Sequence, residues 1–270
     1  TTRSRTMYDF TYQKPASVAD AVKLLGADSE AKALAGGMTL LPVLKQRLNK
    51  PSALIDLAGA GLSGISVTGG KVRIGAMTTH ATVAHSAEVR KAIPALATLA
   101  AGIGDREVRH RGTIGGSLAN DDPTADYPAA ALALDATIET NKRKIAADDF
   151  FQGMFTTALE PGELITAVEF PVPEKAAYMK FPNPASRYAI VGVFVSIGPS
   201  GVRVAVTGAG QSGVFRQKAM EAALQKSFSQ AAITEIATPS EGLNGDIHAS
   251  AEYRAHLVGV MARRAVAEAA

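Results

Sequence analysis

The chain reads as an α+β protein built in two parts. Three observations carry this reading. Residues 30–57 form a strand–loop–helix–strand pattern, in which two apolar runs flank a glycine pair and a helical segment. Two further pairs of apolar runs, at 65–74 and 188–207, are joined by glycine-containing turns and read as hairpins. Between them, Pro171-Val172-Pro173 breaks both strand and helix patterns and marks the boundary between the parts.

Each element has a local reason. Ser17 caps a helix over Val18–Leu25 that Gly26 stops. Ala31–Ala35 is a strand, Thr39–Leu48 a helix with Pro42 tolerated in its first turn, and Ala53–Leu57 a second strand. A helical connection between two strands makes that pair parallel. Ile65–Thr68 and Lys71–Ile74 close on Gly69-Gly70 as a hairpin. Thr78–His85 and Glu88–Ala101 are helical, with Pro94 as a kink or a new start, and Gly102–Arg111 is a polar loop. A helix at Ala125–Leu134 and strands at Thr137–Thr140 and Leu164–Phe170 follow. Beyond the prolines come a hairpin of Tyr188–Ile197 and Val202–Thr207, then helices at Phe215–Leu224, Gln230–Ala237 and Glu252–Ala269.

Composition narrows the function classes. The 270 residues are 47% hydrophobic and 20% charged, which suits a globular protein with ordinary cores. The net charge of +3 comes from 28 Lys and Arg against 25 Asp and Glu without a basic cluster, so nothing points to nucleic acid. The absence of cysteine excludes disulfides, thiol catalysis and cysteine-held iron–sulfur clusters on this chain. No apolar run is long enough to span a membrane. The polar segment Thr1–Tyr12 lacks the apolar core of a signal peptide, and the cytoplasm is the expected location.

Two glycine-centred loops carry the chemistry: Ala35-Gly36-Gly37-Met38-Thr39 and Thr113-Ile114-Gly115-Gly116-Ser117. Glycine pairs leave main-chain N–H groups uncovered by Cβ, and a following helix N-terminus adds partial positive charge. Two such loops, each ending in a hydroxyl, imply one large phosphate-bearing ligand gripped from both sides.

Other motifs fail on context. Gly59-Ala60-Gly61-Leu62-Ser63-Gly64 matches G-x-G-x-x-G but leads into a hairpin, where a dinucleotide fingerprint needs a helix. Gly208-Ala209-Gly210-Gln211-Ser212-Gly213 sits between strand and helix, yet its strand is a hairpin arm and no parallel strand ending in Asp or Glu follows. The five histidines His80, His85, His110, His248 and His256 show no metal-ligand spacing. Asp105–Arg111 reads as a solvated loop or an anion contact. Asp121, Asp122 and Asp126 read as helix capping or as a divalent-metal cluster.

Taken together, these blocks resemble the FAD-binding medium subunit of the molybdenum hydroxylases, the family of aerobic carbon monoxide dehydrogenase and xanthine dehydrogenase. The resemblance rests on AGGMTLLPVLKQRLNKPSALIDL (35–57), RHRGTIGGSLANDDPTADYPAAALALDA (109–136), GELITAVEFP (162–171), KFPNPASRYAIVGV (180–193) and SAEYRAHLVGVMARRAV (250–266), in that order. It implies a two-lobed FAD domain of the vanillyl-alcohol-oxidase type (PCMH-type) at 1–172, with lobes of about 1–57 and 58–172. A small antiparallel sheet with helices would follow at 173–270.

The resemblance also assigns roles. Ala35, Gly36, Gly37, Met38 and Thr39, with Thr113, Ile114, Gly115, Gly116 and Ser117, would surround the FAD pyrophosphate and the adjacent ribityl chain and ring. Asp126 would accept hydrogen bonds from FAD hydroxyls. Ile165, or Leu164 beside it, would pack on an apolar face of the cofactor, with Ile103 as a further packing contact. Lys180 would stabilise negative charge on reduced flavin. Relatives carry Gln or His where this chain has Met38, and Asn or Asp where it has Ser117; both changes remove a larger hydrogen-bonding group. No residue of this chain would act as acid or base in the substrate step.

The function implied is electron transfer. Substrate would be oxidised at a molybdenum cofactor on a large partner subunit. Electrons would cross 2Fe–2S clusters on a small subunit, reach FAD here, and leave to quinone, oxygen, NAD or a carrier protein. The assembly implied is a dimer of heterotrimers. The rival readings are a stand-alone flavin oxidoreductase, a non-catalytic nucleotide-binding assembly module, and a nicotinamide dehydrogenase using Gly208–Gly213.

Overall fold

A computed structural model of the protein describes residues 7–269; Thr1–Thr6 of the polar N-terminal segment and Ala270 lie outside the described residues. The chain runs β1 (Thr11–Gln13), α1 (Val18–Ala27), β2 (Lys32–Leu34), α2 (Leu40–Lys45) and β3 (Ala53–Asp56), then the hairpin β4 (Ile65–Thr68) and β5 (Lys71–Gly75). Six short helices follow: α3 (His80–His85), α4 (Ala87–Ala92), α5 (Pro94–Ala101), α6 (Arg106–Arg111), α7 (Ile114–Asn120) and α8 (Tyr127–Ala133). The first part closes with β6 (Thr137–Thr140), β7 (Lys144–Ala146), α9 (Ala147–Phe150), β8 (Phe151–Gly153), β9 (Thr156–Thr157) and β10 (Ile165–Pro171). The second holds β11 (Lys175–Pro182), β12 (Ala189–Gly198), β13 (Gly201–Thr207), β14 (Phe215–Arg216), α10 (Lys218–Lys226) and α11 (Ala251–Ala269).

Among the described residues, three larger sheets organise these elements, with β8 and β9 as a separate two-stranded ribbon. The N-terminal sheet has the order β1-β3-β2, and β2 pairs with β3 in parallel, as a helical crossover requires. A five-stranded antiparallel sheet, β4-β5-β10-β6-β7, backs α3 to α8 and encloses a core that includes Ile74, Leu96, Ile114, Phe150 and Phe170. The C-terminal sheet, β11-β12-β13-β14, is antiparallel throughout. Its alternate residues face two cores. Val193, Val195 and Val204 join the core under α10 and α11, while Tyr178, Phe194 and Ala205 join the core of the first part. Burial on both faces explains why these strands read as continuous apolar runs.

Several expected elements differ. Gly26 lies inside α1, which runs to Ala27. The helix expected over Thr39–Leu48 is confined to Leu40–Lys45, and Arg47 turns left-handed at φ +57°. Gly102–Arg111 is not a loop: Asp105 accepts a hydrogen bond from Val108 N–H at 2.8 Å and caps α6. Glu107 in its first turn and Arg109, His110 and Arg111 in its last suit the helix dipole. Thr113–Ser117 is likewise no loop but the cap and first turn of α7. Phe215–Arg216 is an edge strand before α10, and Gln230–Ile233 is a single 3-10 turn. Three strands that local pattern did not reveal are β1, which pairs in parallel with the distant β3, and β7 and β11, the antiparallel neighbours of β6 and β12.

Candidate functional site

A cavity of about 630 Å³ lies between the N-terminal sheet unit and α6–α8, closed on one side by the segment Ala185–Tyr188. That volume falls within the range of small-molecule and cofactor sites. Both glycine loops line it, through Ala35, Gly36, Gly37, Met38, Thr39, Thr113, Gly115, Gly116 and Ser117. Asp126, Ile165, Leu164 and Ile103 line it too. Two expected residues do not. Ile114 is fully buried in the core behind the wall, and Lys180 stands behind Asp126.

The two loops meet backbone to backbone. A Cβ on Gly36 would fall 2.0 Å from the Arg111 carbonyl oxygen and 2.8 Å from Gly112 Cα, so only glycine permits this seam. Gly37 has φ +76°, a left-handed conformation that turns the chain from β2 into α2. On the second loop, a Cβ on Gly115 would meet Ala76 at 2.5 Å, which ties α7 against the end of β5.

The loops differ in what they offer. Ile114 N–H donates to Thr78 O (3.1 Å), Gly115 N–H to Ala76 O (2.9 Å), Gly116 N–H to Thr113 Oγ1 (3.1 Å) and Ser117 N–H to Thr113 O (3.0 Å). The second loop's amides are therefore engaged within the protein, contrary to the reading of both glycine pairs as open donors. Its contribution is close approach and the hydroxyls of Thr113 and Ser117. The N–H groups of Gly36, Gly37, Met38 and Thr39 donate to nothing among the described residues. Thr39 is exposed and makes no side-chain capping bond, so its hydroxyl is free as well. An anion in the cavity is thus served mainly by the first loop.

Asp126 is a carboxylate in the wall with one internal partner on each oxygen. Tyr178 OH donates to Oδ1, and Lys180 Nζ donates to Oδ2 at 3.1 Å. The same ammonium donates to Gly102 O (2.8 Å) and Arg187 O (3.0 Å), which uses its three protons. Burial pushes the Asp126 carboxyl above the usual carboxylate range, against the pull of Lys180 and Tyr178. Glu163, also in the wall, goes the other way: its ion pair with Arg143 (3.0 Å), helped by Glu160 N–H and Thr140, holds it down to about 2.

Sequence reasoning missed two wall features. One is His80, which neighbours nothing in sequence that marks a site. The other is Ala185–Tyr188, whose Asn183 accepts from Ala185 N–H and Ser186 N–H and folds the chain over the cavity. The Asn183-Pro184 pair was the available signal. The decoys lie elsewhere: Leu57–Gly59 is a 3-10 turn before a hairpin, and Gly208 packs on the carbonyls of Ala189 and Ile190 in an antiparallel sheet. Among the described residues no three His, Cys, Asp or Glu side chains gather to hold a metal ion, and no helix is long and apolar enough to cross a membrane.

The chain matches known proteins over nearly its whole length. The FAD binding domain in molybdopterin dehydrogenase matches residues 8–173, and the carbon monoxide dehydrogenase flavoprotein C-terminal domain matches residues 176–269. The chain is 38% identical to the nicotine 6-hydroxylase medium subunit of Paenarthrobacter nicotinovorans over 273 residues, covering 96% of each. It is 36% identical to the carbon monoxide dehydrogenase medium chain of Afipia carboxidovorans over 277 residues, again 96% of each. A crystal structure of quinoline 2-oxidoreductase from Pseudomonas putida 86 superposes with a TM-score of 0.88 at 30% identity, covering 98% of both chains. With its cavity walled by two glycine loops and its antiparallel C-terminal sheet, this chain belongs to the FAD-binding medium-subunit family of the molybdopterin dehydrogenases, the flavoprotein subunits of multi-subunit molybdenum-containing oxidoreductases.

Proposed function

We propose that this chain holds FAD in the 630 Å³ cavity and serves as the electron-transfer subunit of a molybdenum hydroxylase. Electrons arrive from iron–sulfur clusters on a small partner subunit, after substrate oxidation at molybdenum on a large one, and leave to an external acceptor. The chain has no cysteine to hold a cluster itself. The expected assembly is a dimer of heterotrimers, and the expected location is the cytoplasm.

The observation that carries this reading is the division of the cavity wall. One part offers the unpartnered amides of Gly36 to Thr39 and the hydroxyls of Thr39, Thr113 and Ser117. Another is apolar, with Ile103, Leu159, Leu164 and Ile165. A pyrophosphate suits the first and a flat ring system the second. Bound FAD supplies the exchange between one-electron donors and two-electron acceptors. The residues bind it, orient it and exclude water. Asp126 keeps acceptor capacity toward FAD hydroxyls after its two internal bonds. Lys180 acts on the site by holding Asp126 and the Arg187 carbonyl rather than by reaching into the cavity.

The visible spectrum of the purified chain, with mass identification of what denaturation releases, tests this. Flavin bands and released FAD are expected. Gly36→Ala, whose Cβ would force the two loops apart, is expected to lose the bands while remaining folded, as is a bulky change at Gly37 or Gly116. A folded wild-type chain that refuses FAD would favour the assembly-module reading. Substrate turnover by the single chain would favour the stand-alone oxidoreductase.

A further inference from the structure

His80 is the first residue of α3, lies on the cavity wall and is only 5% exposed. Its N–H donates to Gly112 O at 2.9 Å, and Thr79 before it bridges to Thr113. The residue is thereby strapped to the backbone that leads into the second loop. The imidazole stands on Gly112. A Cβ there would fall 2.5 Å from Nε2 and 2.8 Å from Cδ2, so glycine at this position makes room for the ring. The ring also packs, tilted, against Tyr127, with centroids 5.3 Å apart.

Among the described residues the imidazole has no side-chain hydrogen bond, and Nδ1 is sealed from solvent without a partner. Burial, reinforced by the positive charge of Arg109, lowers its pKa to about 4, so the ring is neutral near pH 7. A neutral imidazole carries one proton. On Nδ1 that proton would be a buried donor facing nothing, which folded proteins avoid more strictly than an unpaired acceptor. The proton therefore belongs on Nε2, the nitrogen over Gly112. Gly112 is also where the two loops meet, its Cα 2.8 Å from the place a Gly36 Cβ would take. Nε2 thus lies over the Gly112 side of the seam, and His80 lines the same cavity as the free amides of the first loop.

We propose that His80 is a cofactor contact, its Nε2–H donating to a phosphoryl oxygen of bound FAD. The contact rests on the FAD reading above. A neutral donor meets an anionic oxygen in a charge-assisted bond, without leaving an unpaired positive charge in the wall.

The test uses the full chain labelled with 15N-histidine and titrated with FAD, with the flavin absorbance followed in the same samples. Loss of one resonance in His80→Gln assigns the ring. The expected result is a neutral Nε2–H tautomer whose Nε2 signal moves in step with flavin binding. His80→Phe, which keeps the ring shape without a donor, should weaken FAD binding about 10-fold or more. His80→Gln, which retains an N–H donor, should recover part of that loss. FAD uptake with unmoved His80 nitrogens, or an Nδ1–H tautomer in the loaded protein, overturns the contact while leaving the FAD reading intact. A folded wild-type chain that takes up no FAD overturns both.

Discussion

At the scale of single residues, the site is a set of polar groups whose environments push them in opposite directions. Glu163 is held down by Arg143, and His80 is kept neutral by burial. Asp121 is the outlier. It sits left-handed at φ +44° at the end of α7, is 1% exposed, and has no partner for Oδ1 among the described residues. Burial, with the charge of Asp122 beside it, raises its carboxyl to about 7. A carboxyl raised in the fold favours the protonated form there. The stability it contributes is complete below the unfolded carboxylate range and is lost as pH rises toward 7. Between pH 5 and pH 8 the wild-type chain should therefore lose stability that Asp121→Asn retains. Asparagine tolerates the left-handed backbone, and the variant should be more stable at pH 8 by about 2 kcal/mol. Urea unfolding of both proteins at the two pH values measures the difference; equal slopes would show that Asp121 is not the group responsible.

At the scale of elements, the cavity depends on short helices whose positions are set at their ends. α6 spans six residues, buries none of them fully, and is held by the Asp105 cap. Its last carbonyl, Arg111 O, is the atom against which Gly36 is packed. Asp105→Ala should cost about 1 kcal/mol of stability, the usual value of a lost N-cap. It should also weaken FAD binding, because the seam between the two loops is built on the end of this helix. Denaturant midpoints and FAD titration read the two effects separately. Unchanged FAD affinity at reduced stability would show that the seam is held by other contacts.

At the scale of the whole molecule, the two parts are fastened across their boundary by buried polar groups. Asp126 from the first part meets Tyr178 and Lys180 of β11. Thr207 Oγ1 donates to Ala125 O (2.6 Å) and Gly208 N–H to Pro123 O (2.8 Å). Arg203 of β13 reaches Leu132 O and Asp148. The second part therefore positions the wall of a cavity that belongs mostly to the first. Lys180→Met leaves the Asp126 carboxylate buried without its cation and should cost about 3 kcal/mol in urea unfolding. The double variant Asp126→Asn with Lys180→Met should recover most of that, since it removes the stranded charge as well. A double variant no more stable than the single one would show that the ion pair is not the fastening.

The sequence by itself determined the α+β class, the parallel pairing of β2 with β3, both glycine-turned hairpins and the two glycine loops that line the cavity. These features depend on local rules: apolar periodicity, turn chemistry and the conformations open to glycine. The tertiary structure alone decided which amides are free. Gly115 and Gly116 look as open as Gly36 and Gly37 in sequence, but Ala76 and Thr113 take their N–H groups. It also placed Lys180 behind Asp126, turned Asp105–Arg111 into a helix against Gly36, and brought His80 to the seam. Each of these depends on a partner far along the chain or on the space left by a neighbour, and no window of local sequence contains either.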